Sequence, residues 1–520
     1  MRFLKILIFI SILILPFFSF SQNNEEKPKI IQYSSKVLYV GEALGVDVKV
    51  LKEEVIFYHD SSTMYCDSAY YNTKDNFFDA FGNIKIIRPT ATDTVFLYGD
   101  TLHYSGNDKL ARVRQNVILI KDSLTLTTNK LDYKTDQNIA HYSENGTTVN
   151  GEDTLKSVFG YYYADQDEFF FKDKVIITNP QFKMFCDTLK HNTETKTSFF
   201  LGPTEIINDS NYIYCENGWY KHETDIAQFE KNAFFRNESK TVKGDSLYYD
   251  RNKAIAKAFD NVIINDSIEK VILSGNHGEY FERADSSLMT EKALFVKITE
   301  KKDSLFLHAD TLRTFRDSIT DVNDSLRKII YVLAYRHAKL YKSDLQAKCD
   351  SISYSTKDSI IELFHSPVLW SDENQLTADS MKVITEKDEP KEFHLYNNSF
   401  VIAQSDTVRF NQILGKNMIG YIENKELTRV DVFEEGKVTY FAKDDLKRLI
   451  GVNKITCVNM NIYLKDKEVK KIWFYQKPVA VMYPPLIRDP ASFKYPGFQW
   501  LSRFRPVNSK EIFVWEKEEK

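Results

Sequence analysis

Apolar and polar residues alternate with a strand-like period of two along most of this chain, and polar turns break the alternation at regular intervals. Residues 82–104 show the unit. Gly82-Asn83 is a turn signal, and Ile84 and Ile86 then share one face across Lys85. After a polar turn, Val95, Leu97 and Gly99 alternate with Phe96 and Tyr98; Asp100-Thr101 interrupts, and Leu102 and Tyr104 resume. A second copy carries Val117 and Leu119, then Leu124 and Leu126, then Leu131 and Tyr133. A third follows Asp173-Lys174 with Val175, Ile177, Phe182, Met184 and Cys186, and a fourth carries Val262, Ile264, Val271, Leu273 and Gly275. Several short strands per repeat, each with one wet and one dry face, predict an all-β stack of two facing antiparallel sheets.

A phrase marks the repeats. Asp, then Ser or Thr, then an apolar residue recurs at Asp67, Asp100, Asp187, Asp245, Asp310, Asp350 and Asp379, and with the degenerate copies at Asn129, Gly160, Cys215, Gly275 and Asn411 the intervals are mostly about 30 residues. Spacing of that size is the mark of a stacked array, which buries its core only between neighbours and offers one long surface. The slot before the Asp holds Cys66, Gly99, Cys186, Gly244, Ala309, Cys349 or Ala378, so it calls for a small inward side chain, either where the chain turns sharply or where a groove widens. Local side-chain-to-backbone bonds from the Asp and its hydroxyl neighbour account for the phrase. It also resembles an O-glycosylation acceptor sequence of exported bacterial proteins.

The ends change the picture. Residues 1–21, with Arg2, Lys5, an apolar run from Ile6 to Phe18 and small Ser19 and Ser21, predict a secretory signal peptide. The array is expected over 22–450. Residues 451–520, with Tyr483-Pro484-Pro485, Pro496-Gly497 and Arg505-Pro506, read as a C-terminal cap or docking segment. A net charge of −4 disfavours nucleic acid as a partner. Five cysteines without a CxxC, and ten histidines without ligand spacing, point to neither metal nor cofactor. Cys186 and Cys215, one repeat apart, leave a disulfide open. Carboxylates are scattered without a distinctive pair, so no enzyme is expected.

The frame carried by Gly82-Asn83-Ile84, by Val95 through Tyr104 and by Leu110-Ala111-Arg112 into Asn116-Val117 resembles the OstA-like family of lipopolysaccharide-transport proteins; a second clear copy runs from Val242 to Val262. That family includes the periplasmic bridge protein and the N-terminal part of the outer-membrane assembly protein. The resemblance, decaying over about 35–440, implies an elongated open β-jellyroll, or β-taco, in the periplasm and associated with the outer membrane. Its dry interior would shelter the lipid A acyl chains of lipopolysaccharide, and its edge strands would meet other transport components. The implied lipid-binding residues are Ile84, Ile86, Val95, Leu97, Val117, Leu119, Leu124, Leu126, Val175, Ile177, Phe182, Met184, Val262, Ile264, Val271 and Leu273. The alternative is a structural or protein-interaction β-solenoid of the cell envelope, with a sealed core and no lipid cargo.

Overall fold

Long strands bent at their middle build the protein. In a computed structural model, residues 31–516 are described apart from 42–44, 46, 60, 90–93, 300–302, 321–325, 387–388, 425, 445, 447, 466–467 and 486–488. The expected signal peptide lies outside the described residues. Among those residues the fold is all-β and antiparallel, with a few short 3-10 turns. The chain forms two compact units, residues 1–137 and 138–520.

The bend has a local cause. Phe77–Pro89 pairs with Thr94–Ser105, and their register shifts between Phe81 and Ile84. There Gly82 (φ +74°) and Asn83 (φ +47°) are both left-handed, a conformation glycine and asparagine tolerate best. Two such residues in succession turn the strand and move its second half onto another wall. The same two-residue corner, always at a register shift, occurs at Glu53-Glu54, Gln115-Asn116, Asp173-Lys174, Lys231-Asn232, Asp260-Asn261, Arg336-His337 and Asn397-Asn398. What sequence shows as several short strands per repeat is therefore two long strands, each shared between two walls.

The phrase lies on the strand paired with each corner. Its small residue faces inward there: a Cβ on Gly99 would approach Val113 Cγ1 to 2.4 Å, and one on Gly275 would meet Met289 at 2.8 Å. The Asp does more than bond locally. Asp67 accepts from Asn83 Nδ2 at 2.8 Å, Asp100 from Asn116 at 2.7 Å and Asp245 from Asn261 at 3.0 Å. Local bonds also occur, as from Thr188 Oγ1 to Asp187 at 3.0 Å.

All five cysteines are buried and unpaired, so the disulfide left open between Cys186 and Cys215 does not form. The ladder runs past residue 450, through Leu449–Cys457, Asn459–Lys465, Glu468–Tyr475 and Val479–Tyr483. The tail beyond Tyr483 folds back along the outer side of one wall. Phe493 packs with Phe441 and Val452, while Tyr495, Phe498 and Trp500 pack on Phe400, Ile402 and Phe410. Two buried glutamines hold its backbone. Gln412 donates to Phe493 O (3.1 Å) and accepts from Tyr495 N (3.0 Å), and Gln375 does the same for Gln499 O (2.7 Å) and Leu501 N (2.7 Å).

Candidate functional site

In each unit the corners form a spine from which two walls rise, and the space between them is the candidate site. The first wall carries segments such as 84–89, 94–99, 240–244, 262–266 and 271–275. The second carries 77–81, 101–105, 226–230, 246–250, 255–259 and 277–281. Inward positions on each wall line up across strands. Ala69, Ala80, Leu102, Val113 and Leu131 are successive partners in one unit; Phe229, Leu247, Ala258, Gly278, Met289 and Leu312 are successive partners in the other.

All sixteen residues singled out from sequence lie on the first wall, and their exposure grades from spine to rim. Ile84, Val117, Val175 and Val262, beside the corners, are each 1% exposed. Leu97, Leu119, Leu126, Met184 and Leu273, further along, are buried. Ile86, Val95, Leu124, Ile177, Phe182, Ile264 and Val271 are half-buried. Outward neighbours such as Ile118 and Ile263 are exposed. Sequence reading missed the facing wall. Its signal was the apolar-x-Tyr pair after each phrase, as in Leu102-His103-Tyr104 and Leu247-Tyr248-Tyr249.

The spacing of the walls differs along the chain. Within residues 1–137, Phe57 of the first wall stacks on Phe78 of the second with centroids 4.4 Å apart, and Arg88 lies 5.2 Å from the Tyr133 ring centroid. Aromatic side chains fill the interior there. Within residues 138–520 the walls enclose a cavity of about 670 Å³, a volume typical of small-ligand sites. Its first wall includes Ile213, Phe235, Val242, Ile264, Val271, Leu273 and Phe295. Its second wall is thinner, because Ala227, Ala256, Ala258 and Gly278 stand among Phe229, Leu247, Tyr249 and Tyr280. Of the sixteen sequence-derived residues, Ile264, Val271 and Leu273 line the cavity. Beyond it the interior is packed: Leu363, Met381, Val383 and Leu395 on the second wall are at most 2% exposed, and Leu189 and Phe200 on the other side are each 3% exposed.

The mouth of the cavity is polar. Arg316 on the second wall reaches Asp266 on the first at 2.8 Å and Asp285 on its own side at 3.4 Å. Tyr280 donates to Asp285 Oδ1 at 3.0 Å, and Lys240 of the first wall lies 5.6 Å from the Tyr280 ring centroid. Burial, then the bond to Asp285, pushes the Tyr280 hydroxyl up to about 12, so it stays a donor. The Arg316–Asp266 pair is largely shielded from water, its side chains 24% and 10% exposed, and the cation–π contact contributes about 0.5–2 kcal/mol. Separating the packed walls on either side would expose several large side chains, each costing about 1.5–3 kcal/mol. The mouth is closed by polar contacts, whereas apolar packing closes the cavity on either side.

A polar island interrupts the second wall upstream. Ser198 Oγ lies 3.0 Å from His191 Nδ1 and 3.0 Å from His222 Nε2. Burial, then the His222 charge, lowers His191 to about 4, and burial lowers His222 as well. Both imidazoles are neutral at pH 7 and complete a hydrogen-bonded group inside the wall. Among the described residues no cluster of His, Cys, Asp and Glu could hold a metal ion.

Comparison with known proteins adds three findings. The sequence matches the family described as OstA-like protein over residues 27–187 and 184–310. Among solved structures, it is similar to LptH from Pseudomonas aeruginosa, titled the LptA homologous periplasmic component of the conserved lipopolysaccharide transport device. The identity is 15%, the match covers 22% of this chain and 80% of that one, and the TM-score is 0.20. No curated protein matches.

Proposed function

The chain belongs to the OstA-like family, and from that premise we propose that it is a periplasmic lipopolysaccharide-transport scaffold, serving outer-membrane assembly, that shelters lipid acyl chains between its two walls. The observation that carries the reading is the cavity of about 670 Å³ with apolar side chains on both walls and a polar mouth. Each acyl methylene kept from water there stabilises the bound state by about 0.8 kcal/mol, so holding the lipid requires no covalent chemistry. The carrier uses no cofactor and catalyses no reaction. Its partners are lipopolysaccharide, through the lipid A chains, and other transport components.

Those components meet the chain at its edge strands. Among the described residues Val479–Tyr483 pairs only with Leu449–Cys457, and it is exposed along its whole length. A strand paired on one side only, with Val479, Val481 and Met482 in solvent, favours addition of a further strand.

At the cavity the lipid-binding set gains the facing wall. Ile264, Val271 and Leu273 remain as cargo contacts, joined by Phe229, Leu247 and Ala258 from the facing wall. The other sequence-derived residues stay proposed lipid contacts on the first wall. The stacking of Phe57 on Phe78 within residues 1–137 favours a second reading, a structural or interaction scaffold without lipid.

Site-specific photocrosslinking separates the two in cells making labelled lipopolysaccharide. The carrier predicts adducts from a photoreactive residue at Leu273 and none from one at outward Ile263. Folded, exported protein without adducts at Leu273 would favour the scaffold.

A further inference from the structure

The cavity has one polar boundary, and it is not at either end. Along the spine the walls are packed in both directions, by Leu189 and Phe200 on one side and by Leu363 and Met381 on the other. Across the mouth they are joined by Arg316 with Asp266, fifty residues apart in sequence, and by Lys240 against Tyr280. The groups form one chain: Lys240 meets Tyr280, Tyr280 bonds Asp285, Asp285 meets Arg316, and Arg316 returns to Asp266. Two of these links cross between the walls and two stay on one wall. The arrangement repeats at Lys297 of the first wall, which donates to Tyr354 OH of the second at 3.0 Å.

Resting on the carrier reading, we propose that cargo enters and leaves this cavity sideways, through a portal at the mouth whose latch is the Arg316–Asp266 ion pair seconded by Lys240–Tyr280. Passage along the spine would part packed core on either side. Passage through the mouth breaks polar contacts that water can replace as the walls part. Asp285 keeps Arg316 paired when Asp266 lets go, so opening does not strand a charge in the apolar cavity. The second wall, thinned by Ala227, Ala256 and Ala258, leaves room for the chain that arrives.

The test fixes the mouth shut and leaves the interior untouched. Asp266→Cys and Arg316→Cys are combined in the full chain and joined by a bifunctional maleimide that contains a cleavable disulfide. The native thiols are buried, so the reagent finds the new pair. Loading is followed with a long-chain fatty acid carrying a diazirine, and adducts are located by mass spectrometry. A lateral portal predicts that joining slows adduct formation at residues 213–330 by more than tenfold and that reductive cleavage restores it. The uncleaved and cleaved forms are one polypeptide, so misfolding cannot mimic this result. A single Arg316→Gln variant should load about threefold faster. Equal loading rates before and after joining would overturn the portal and leave the carrier standing. Absence of adducts even in the unjoined protein would overturn the carrier and the portal together.

Discussion

Asn83 donates from Nδ2 to Asp67 Oδ2 at 2.8 Å, across the corner that Asn83 itself helps to form. The same bond, at the same sixteen-residue separation, joins Asn116 to Asp100, Asn261 to Asp245 and, with a glutamate, Asn232 to Glu216. Asn398 bonds Asp379 in the same way, and His337 Nδ1 takes the Asn place opposite Asp310 at 2.8 Å. At Asp67, Asp100, Asp245, Asp310 and Asp379 the recurring Asp is therefore one half of a rivet, and the residue just before the first-wall strand is the other. The rivets hold the bends that make two walls from one meander.

Rivet loss has a predictable size. Asp245→Ala should lower stability by about 1 kcal/mol, the net value of one partly exposed bond to a charged group. Asn261→Ala should cost more, about 2 kcal/mol, because alanine also resists the left-handed backbone at φ +51°. Asn261→Gly should recover the backbone share only. Urea midpoints of the three variants check the order, and a ranking with Asp245→Ala as the most damaging would reject it.

Filling the cavity should separate loading from folding. Ala258 lines the cavity and pairs with Leu247 and Gly278 along the second wall. Ala258→Phe should reduce lipid loading more than tenfold while changing stability by no more than about 1–3 kcal/mol, the usual range for added core volume. Leu97→Arg behaves differently. Leu97 is 8% exposed in the unit where Phe57 and Phe78 meet across the interior, so an arginine there should cost folding first. Thermal denaturation beside a loading assay distinguishes the two variants.

The legibility of these features follows the range of the forces behind them. Alternation and the Asp phrase are local, so the strands, the repeat and the first wall could be read directly from Ile84, Leu97 and Val262. The corner is local too, since Gly82-Asn83 announces a turn. The facing wall was harder, because Ala227, Ala256 and Ala258 matter through the volume they leave empty, which sequence does not display. Arg316 and Asp266 meet only because two strand pairs return to the same mouth, and nothing near either residue signals the other. Gln375 and Gln412 look like ordinary solvent-facing positions until the tail covers them.

Thiol chemistry offers a third check. Burial pushes Cys66, Cys186, Cys215 and Cys349 up to about 12, so almost no thiolate exists at neutral pH. A maleimide at pH 7 should leave these four unmodified in the native protein over an hour and modify them within minutes in denaturant. Rapid native labelling of Cys349 would show that the wall around it opens.

Acid should weaken the second wall around His191. Its folded value of about 4 lies below the ordinary 6.5, so the unfolded chain binds more protons between those values. Stability from keeping this imidazole neutral is complete above about pH 6.5 and is lost as pH falls toward 4. The shift corresponds to something on the order of 3 kcal/mol. His191→Gln should flatten the stability–pH curve in that window; an unchanged slope would place the acid sensitivity elsewhere.

The tail makes the last prediction, and it turns on which surface it protects. Phe400, Ile402, Phe410 and Phe441 face outward from the first wall, away from the interior, and they are buried because Phe493, Phe498 and Trp500 lie over them. Lys348 and Lys454 add cation–π contacts, Lys348 at 4.0 Å from the Phe504 ring centroid and 3.9 Å from that of Trp515. Arg505 Nε donates to Gln346 Oε1 at 2.7 Å, and Lys339 donates to the Val514 carbonyl. Truncation after Tyr483 would uncover an apolar strip and leave Lys339, Gln375 and Gln412 without these partners. It should therefore cause self-association, read as a concentration-dependent mass in light scattering. Gln412→Ala in the full chain removes two of the tail's backbone bonds and should cost about 2 kcal/mol without self-association, because the aromatic cover stays in place. If the truncated protein stays monomeric with an unchanged melting temperature, the tail is not what shields that wall.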